Sequence, residues 1–401
     1  MPRHPVPRPA APTPALRLAP VLRVAPALLI PALLLAACTN GQAPDRTAPG
    51  PLTSTAGSPT AQVTPTESKD PTLLDPDEAT AIVDRLRTIV TAERASTSAL
   101  SPRIIGPFRD RVRAVRLLRT GTTGTAGATG TAGTPSASAS SRPTASPGPA
   151  PGIDPDLIGQ DVATLPPNER ILLTRGTAWP RWFLTVGANS GKGLPRVSVL
   201  LAGEEGLDHG IWAQMLLLPG RALPAVDPAT EGAERLTPTA PGLVATPSQA
   251  ALRYADLLNR GNSSTFVTGF ASDDFRRQVR EQLAADRRRM VRTQSGKEVS
   301  VGTITSNHAV RPDGILALRT ADGGALVIAS LRQTQVLKVT QKGGKLRPDS
   351  SLTALAGRKT FTDRLTRVSA EVLAFTVPKA GSGGKITLIG ATKGDIAVTG
   401  S

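Results

Sequence analysis

The sequence predicts an α+β protein in which helices pack on curved antiparallel sheets. Helical hydrophobic periodicity occurs in two pairs of segments, strand-like segments follow each pair, and glycine-containing turns separate those strands. Helices that precede runs of strands, rather than alternating with them, are typical of α+β folds. We therefore expect two related domains, each with two or more helices packed on a curved antiparallel sheet.

The predicted helices are amphipathic. The first pair carries apolar stripes over residues 76–96 and from Phe108 to Leu118, and the second pair carries them over 248–260 and 275–290. The second helix of each pair contains the pattern FRxxVR, beginning at Phe108 and again at Phe275. This shared pattern and the matching helix spacing indicate a duplication.

Strand-like segments follow each helix pair. In the first half they cover 170–174, 179–187, 196–202 and 211–218, and in the second half 299–310, 315–320, 325–340, 351–356, 368–377 and 385–390. Turn sequences such as Pro312-Asp313-Gly314 separate them, as expected for hairpins. The element order resembles the cone-shaped fold of the nuclear-transport-factor-like superfamily, in which helices pack into the hollow of a curved sheet. That resemblance implies a fold but no function, because such cones host enzymes, binders and structural domains.

Composition sets the predicted domain boundaries. Two tracts are rich in Pro, Thr, Ser, Ala and Gly and contain almost no large apolar side chains, so they cannot offset the entropy of ordering. The predicted organisation is a signal peptide at 1–37, a disordered tether at 38–70, a first α+β domain at 71–223 with a disordered insertion at 120–152, a linker at 224–247, and a second, basic α+β domain at 248–401.

The N-terminal segment predicts export. Four arginines and no acidic residue precede the apolar run 24–37, which is too short to span a bilayer as a stable helix but suits a signal peptide. Leu35-Ala36-Ala37-Cys38 closes the run, and Cys38 is the only cysteine. The pattern resembles the lipobox of bacterial lipoproteins. The bias toward Ala, Arg, Pro, Gly and Thr is typical of a high-GC genome and indicates an actinobacterial envelope.

The lipobox resemblance implies that diacylglycerol and a further acyl chain, such as palmitate, are attached to Cys38. The protein would then be anchored in the membrane on the extracytoplasmic face. The alternative is an ordinary secretory signal with Cys38 as a free thiol. A free reactive thiol is unusual in an oxidising compartment.

Charge is concentrated in the second half. Residues 38–246 contain 19 Lys and Arg against 19 Asp and Glu, whereas residues 247–401 contain 24 against 12. The predicted helix at 275–290 carries the densest group: Arg276, Arg277, Arg280, Arg287, Arg288 and Arg289. Such a face could bind anionic lipid, an acidic wall polymer or an envelope protein. The alternative is a solvated helix face. Nucleic acid is excluded by the predicted export and by the low content of aromatic residues.

The sequence contains no convincing catalytic or metal motif. Glu204, Glu205, Asp208 and His209 lie together and could hold a metal ion, but their segment is more typical of a hairpin connection. The segments 382–385 and 187–193 match the SxxK and phosphate-loop motifs by letters only. Four aromatic residues of the first half either line an apolar pocket or form core: Trp179, Trp182, Phe183 and Trp212.

The sequence therefore predicts a non-enzymatic cell-envelope lipoprotein that binds or scaffolds a partner outside the membrane, with no cofactor and no metal. The alternative is a cone-fold enzyme, hydrolase- or isomerase-like, with acid–base residues in the cavity of the first domain. An enzyme would enclose ionisable groups such as Glu169, Asp208 or His209. A binding module would instead present an apolar or basic outer surface.

Overall fold

The computed structural model describes residues 74–95, 99–123, 165–167, 170–187, 193–294, 297–348 and 350–401. Its helices are α1 (Pro76–Ala95), α2 (Gly106–Thr123), α3 (Pro247–Arg260), α4 (Asp274–Arg289) and α5 (Ser350–Ala356). Its strands are β1 (Arg170–Leu172), β2 (Arg181–Gly187), β3 (Arg196–Ala202), β4 (Gly210–Leu217), β5 (Arg235–Leu236), β6 (Val291–Gln294), β7 (Lys297–Ser300), β8 (Gly302–Arg319), β9 (Ala325–Val339), β10 (Arg364–Val377) and β11 (Thr387–Gly400). Cys38, the predicted signal peptide, the tether and residues 124–152 of the predicted insertion lie outside the described residues.

Nine strands form one antiparallel sheet in the order β1-β2-β3-β4-β11-β10-β9-β8-β5, curled into a half-barrel. Strands β6 and β7 form a separate two-stranded ribbon. The predicted α+β class is confirmed. Among the described residues, no helix combines the length and the apolar character needed to cross a bilayer.

The strands of the two predicted halves meet inside that single sheet. Strand β4 pairs with β11, and the Leu218 N–H donates to the Ile389 carbonyl at 2.8 Å. The predicted linker at 224–247 contains β5, which pairs with β8. All the described residues belong to one compact unit, which differs from the two separate domains that we expected. Pairing between the halves satisfies backbone groups that an open strand edge would expose.

Alternating side chains give the sheet two apolar faces. Along β9, Val327 and Ala329 face a core shared with α3 and α4, whereas Leu326 and Ile328 face a core built mainly from strand residues. This alternation follows from the two-residue repeat of a strand. A third core joins α1 and α2 to Phe183 and other residues of β2–β4.

Three of the sequence predictions need correction or refinement. The predicted strands at 299–310 and 315–320 are one strand, β8, and Pro312-Asp313-Gly314 lies at a bulge within it rather than in a hairpin turn, because both parts pair with β9. The predicted strand at 351–356 is helix α5, because Leu352, Leu355 and Ala356 have helical spacing and pack beside Phe361. The aromatic residues Trp182, Phe183 and Trp212 are buried core residues, while Trp179 is half-buried beside the Arg181 guanidinium. The three buried side chains are core rather than the lining of an apolar pocket.

Helix capping fixes α3 and α4 over the C-terminal strands. Thr246 and Gln249 form a reciprocal capping box at the start of α3. Asp273 caps α4 by accepting from the Arg276 N–H at 2.7 Å, and the same carboxylate oxygen accepts from the Tyr254 hydroxyl of α3 at 2.8 Å. One carboxylate therefore joins the two helices.

Candidate functional site

The candidate site begins where the apolar core of the C-terminal strands ends. Strands β8–β11 are 18, 15, 14 and 14 residues long. On the face that packs under α3 and α4, the apolar residues stop at Leu331 on β9 and at Leu373 on β10. The side chains that continue this face are polar and buried: His308, Gln333, Gln335, Ser369, Glu371, Lys393 and Asp395. We call these seven residues the polar layer.

Glu371 is the centre of the polar layer. Its Oε2 lies 2.9 Å from His308 Nδ1, and its Oε1 lies 3.8 Å from Lys393 Nζ. Burial alone would raise the pKa of the Glu371 carboxyl, but His308 and Lys393 outweigh it and hold that pKa below its ordinary value. Burial lowers the pKa of Lys393, and the Glu371 carboxylate opposes that shift.

Helix α3 fixes the position of His308. The Asn259 side chain accepts from the His308 backbone N–H at 2.7 Å and donates to the His308 carbonyl at 2.9 Å. This amide replaces the backbone partner that a neighbouring strand would provide. Helix α4 makes a similar contribution at Lys393, whose ammonium donates to Gln282 Oε1 at 3.2 Å.

The polar layer ends in a bidentate ion pair. Arg367 donates to the two carboxylate oxygens of Asp395 at 2.7 and 2.5 Å, and the Ser369 hydroxyl donates to the same carboxylate at 2.7 Å. Bidentate arginine–carboxylate pairs fix geometry as well as adding stability. Asp286 of α4 accepts from Gln335 at 3.2 Å and from Arg289 at 3.2 Å.

A cavity of about 540 Å³ lies beside the polar layer. It is bounded by the C-terminal end of α4, strands β9 and β10, the loop at 343–348 and the start of α5, and we call it the α4–α5 cavity. Its charged lining among the described residues is Arg289, Lys345, Arg347, Arg367 and Asp286. Its apolar lining is Met290, Val301, Leu337, Leu346, Leu352 and Leu365.

The charged residues differ in depth. Arg289, Lys345 and Arg347 are exposed and form the rim of the cavity, whereas Asp286 is buried and Arg367 is only 18% exposed. The lining therefore combines a cationic rim, an apolar wall and one deep arginine whose orientation Asp395 fixes. Such a wall can hold a molecule that has both an anionic and an apolar part.

The structure separates the six arginines that we predicted as one basic face. Arg276 is buried, forms an ion pair with Asp273 at 3.6 Å and donates to the Ala271 carbonyl. Arg277 pairs with two acidic residues of α4, and Arg280 donates to Asn262. The exposed residues are Arg280, Arg287, Arg288 and Arg289, of which Arg289 lines the cavity. The binding role of this helix stays a prediction, but Arg276 is not part of its exposed face.

The candidate acid–base residues of the first half lie beside α1. Asp208 is 63% exposed and forms an ion pair with Arg103, while His209 packs edge-on against Phe183 at a ring distance of 5.3 Å. Burial, followed by the nearby Arg103 and Arg181, lowers the pKa of His209 to about 4. Glu169 lies outside the described residues. Asp208 and His209 are therefore not enclosed together in a closed cavity, and the enzyme alternative stays a prediction.

The acidic segment that contains Glu204 and Glu205 is the connection between β3 and β4, and both residues are exposed. Within the described part of the chain, no three His, Cys, Asp or Glu side chains are grouped so that they could hold a metal ion. This segment is therefore the hairpin connection that the sequence favours. Cys38, the predicted lipidation site, lies outside the described residues.

Sequence reasoning missed the polar layer and the cavity. One signal was present, because Glu371 interrupts a run of small and apolar residues on β10 between Ala370 and Val372. A carboxylate in such a run requires a buried partner. Its partners, His308 and Lys393, come from two other strands, β8 and β11, so their identity depends on strand pairing that the sequence does not reveal.

Comparison with known proteins gives one family. The model of a domain of unknown function, DUF8094, matches residues 170–400. That range contains all eleven described strands and therefore the polar layer and the α4–α5 cavity, whereas α1 and α2 precede it. No curated protein and no solved structure matches the chain. Because the family model matches more than half of the 401 residues, the chain belongs to the DUF8094 family.

Proposed function

We propose that this protein is a lipid-anchored binding module of the cell envelope that holds a small anionic ligand in the α4–α5 cavity. The observation that carries the proposal is the cavity lining, in which four basic side chains and one carboxylate stand beside an apolar wall among the described residues. We propose a non-enzymatic role, in which the ligand is held or presented rather than converted.

The size and the charge of the cavity support this function. Its volume of about 540 Å³ falls within the range of about 300–1,000 Å³ that is usual for small-molecule sites. Exposed cations around an opening raise the local concentration of anions. The bidentate pair with Asp395 holds Arg367 in one orientation, so that this part of the cavity lining is ordered before a ligand binds.

The sequence supports the location. The apolar run 24–37 and the lipobox-like residues before Cys38 favour export followed by acylation of the only thiol. An acylated Cys38 would keep the cavity on the extracytoplasmic side, within reach of molecules at the membrane surface.

Fractionation tests the anchor. We expect the parent protein in the membrane fraction and the Cys38→Ala variant in precursor or soluble pools, with Cys38→Ser as a second variant that also lacks the acyl acceptor. A processed Cys38→Ala protein that still fractionates with the membrane would contradict lipid anchoring.

Native mass spectrometry of the full chain extracted from membranes tests the binding function. We expect a co-purifying small anion with the parent and its loss in the variant Lys345→Ala/Arg347→Ala. The matched control is Arg287→Ala/Arg288→Ala, which removes the same charge from exposed residues outside the cavity lining. A parent protein without a bound molecule, or equal loss in the control, would contradict the proposal.

A further inference from the structure

We infer that the ligand of the α4–α5 cavity is a single-chain amphiphile with one anionic head group, of the kind represented by a fatty-acid carboxylate. This inference rests on the proposed function and deepens it by naming the chemical class of the ligand.

The apolar part of the ligand follows from the cavity wall. Six apolar side chains line the cavity within the described residues, and four of them also belong to a buried cluster with Phe361 and Val398. Each of these four side chains is at most 8% exposed, so only its edge reaches the cavity, and a small inorganic anion would leave those edges in contact with water. An alkyl chain would cover them, with a gain of about fourfold in affinity for each methylene that leaves water.

The anionic part follows from the rim. Lys345 and Arg347 are exposed on the loop at 343–348, and neither forms an ion pair with another described residue. Arg289 is also exposed, but it already pairs with Asp286 at 3.2 Å. The cations that are available to a ligand therefore lie on the loop side of the cavity.

Asp286 determines where the head group binds. Its carboxylate is buried in the cavity lining and accepts from Arg289 and Gln335. A second carboxylate next to it would be repelled, which places the ligand head group at Lys345 and Arg347. It also limits the ligand to few negative charges, because a polyanion would extend along the wall toward Asp286.

The size of the cavity favours one chain over two. Its volume lies in the lower half of the usual range for small-molecule sites. Gln335 and Arg367 give one part of the cavity lining a polar character, so an alkyl chain would extend along Leu337, Leu346 and Leu365 instead. A two-chain membrane lipid would have to leave its second chain outside.

Equilibrium binding of radiolabelled laurate tests this inference. The full chain is held in phosphatidylcholine nanodiscs, and binding to empty nanodiscs is subtracted. We expect saturable laurate binding, weaker binding of octanoate because fewer methylenes are buried, and at least tenfold weaker competition by dodecanol, which has the chain without the charge. Acetate, which has the charge without the chain, should not compete.

Variants locate the binding site. Lys345→Ala/Arg347→Ala should weaken laurate binding at least tenfold, and the control Arg287→Ala/Arg288→Ala should leave it within twofold. Asp286→Asn, which keeps the shape of the side chain, should tighten binding severalfold. Weaker binding in Asp286→Asn, or equal losses in the two double variants, would overturn the inference.

The failures of the two proposals are distinguishable. If acetate competes as well as laurate and the loss still follows Lys345 and Arg347, the amphiphile inference is wrong and the proposed function stands. If neither laurate nor acetate binds saturably, and no small anion co-purifies with the parent protein, both proposals are wrong.

Discussion

The two regions of the sheet differ in how much of each strand is apolar. Strands β1–β4 are 3, 7, 7 and 8 residues long, and β2–β4 are buried along almost their whole length. Strands β8–β11 are about twice as long, and on the face under α3 and α4 their apolar residues give way to the polar layer. The additional strand length creates the candidate site, because it extends the sheet beyond its apolar core.

The largest expected effect tests whether the two regions unfold together. Phe183 of β2 and Phe375 of β10 are fully buried in different cores. Replacing either by Ala should lower the free energy of unfolding by about 3–5 kcal/mol. Because both strands belong to one sheet, each variant should shift the same urea transition, followed by circular dichroism and tryptophan fluorescence. Two separate transitions would show that the regions are independent domains.

The next effect tests the polar layer alone. Glu371→Gln removes the charge that faces His308 and Lys393, and leaves a buried ammonium without its carboxylate. We expect a loss of about 3 kcal/mol in the free energy of unfolding. The matched control in the other region is Glu204→Gln, an exposed residue, whose effect should stay within about 0.5 kcal/mol. Equal losses in the two variants would mean that Glu371 contributes no more to the free energy of unfolding than an exposed carboxylate does.

The pH dependence of stability should distinguish the regions. His209 has an ordinary pKa of 6.5 and a folded pKa of about 4, so the folded protein resists protonation and stability falls as pH decreases through that window. The pKa of Glu371 is below its ordinary 4.5, so its contribution is present above that value and is lost at lower pH. His209→Gln should remove the pH dependence of the free energy of unfolding between about pH 6.5 and pH 4, and should leave the dependence that Glu371 causes at lower pH. Urea denaturation at a series of pH values measures both. An unchanged profile would contradict the burial of His209.

The smallest expected effects are the stability losses from replacing two arginines of α4, one buried and one exposed. Arg276 is buried beside Asp273, and Arg276→Ala should cost about 1–3 kcal/mol because a buried carboxylate loses its ion-pair partner and keeps only its two hydrogen-bond donors. Arg288 is exposed, and Arg288→Ala should change stability by at most about 0.5 kcal/mol. Urea denaturation at neutral pH measures both, and equal losses would place both side chains on one exposed face.

Local patterns in the sequence predicted much of the fold. The helical stripes correspond to α1–α4, and the glycine turn at 322–324 separates β8 from β9. The joining of the two halves was not predictable, because the β4–β11 pair rests on only two registered residue pairs that are far apart in sequence. Helix α5 was missed because a short apolar run does not distinguish a strand from a helix.

The candidate site was less accessible to sequence reasoning than the fold. Alternating polar residues on β9, such as Gln333 and Gln335, are typical of a solvent-exposed strand face. Here that face is covered by α3 and α4, and only tertiary packing shows it. Arg289 was predicted as part of a basic face, and the structure adds that it lies at the mouth of a cavity.

Photo-crosslinking tests the central claim, that the α4–α5 cavity holds an anionic amphiphile, most directly. A diazirine analogue of laurate is added to membranes that contain the full chain, and the labelled peptides are identified by mass spectrometry. We expect labels at Leu337, Leu346 and Leu365, which line the cavity, with loss of labelling in excess laurate and in Lys345→Ala/Arg347→Ala. Labels concentrated at the cleft around His209, or spread along the chain without competition by laurate, would contradict the claim.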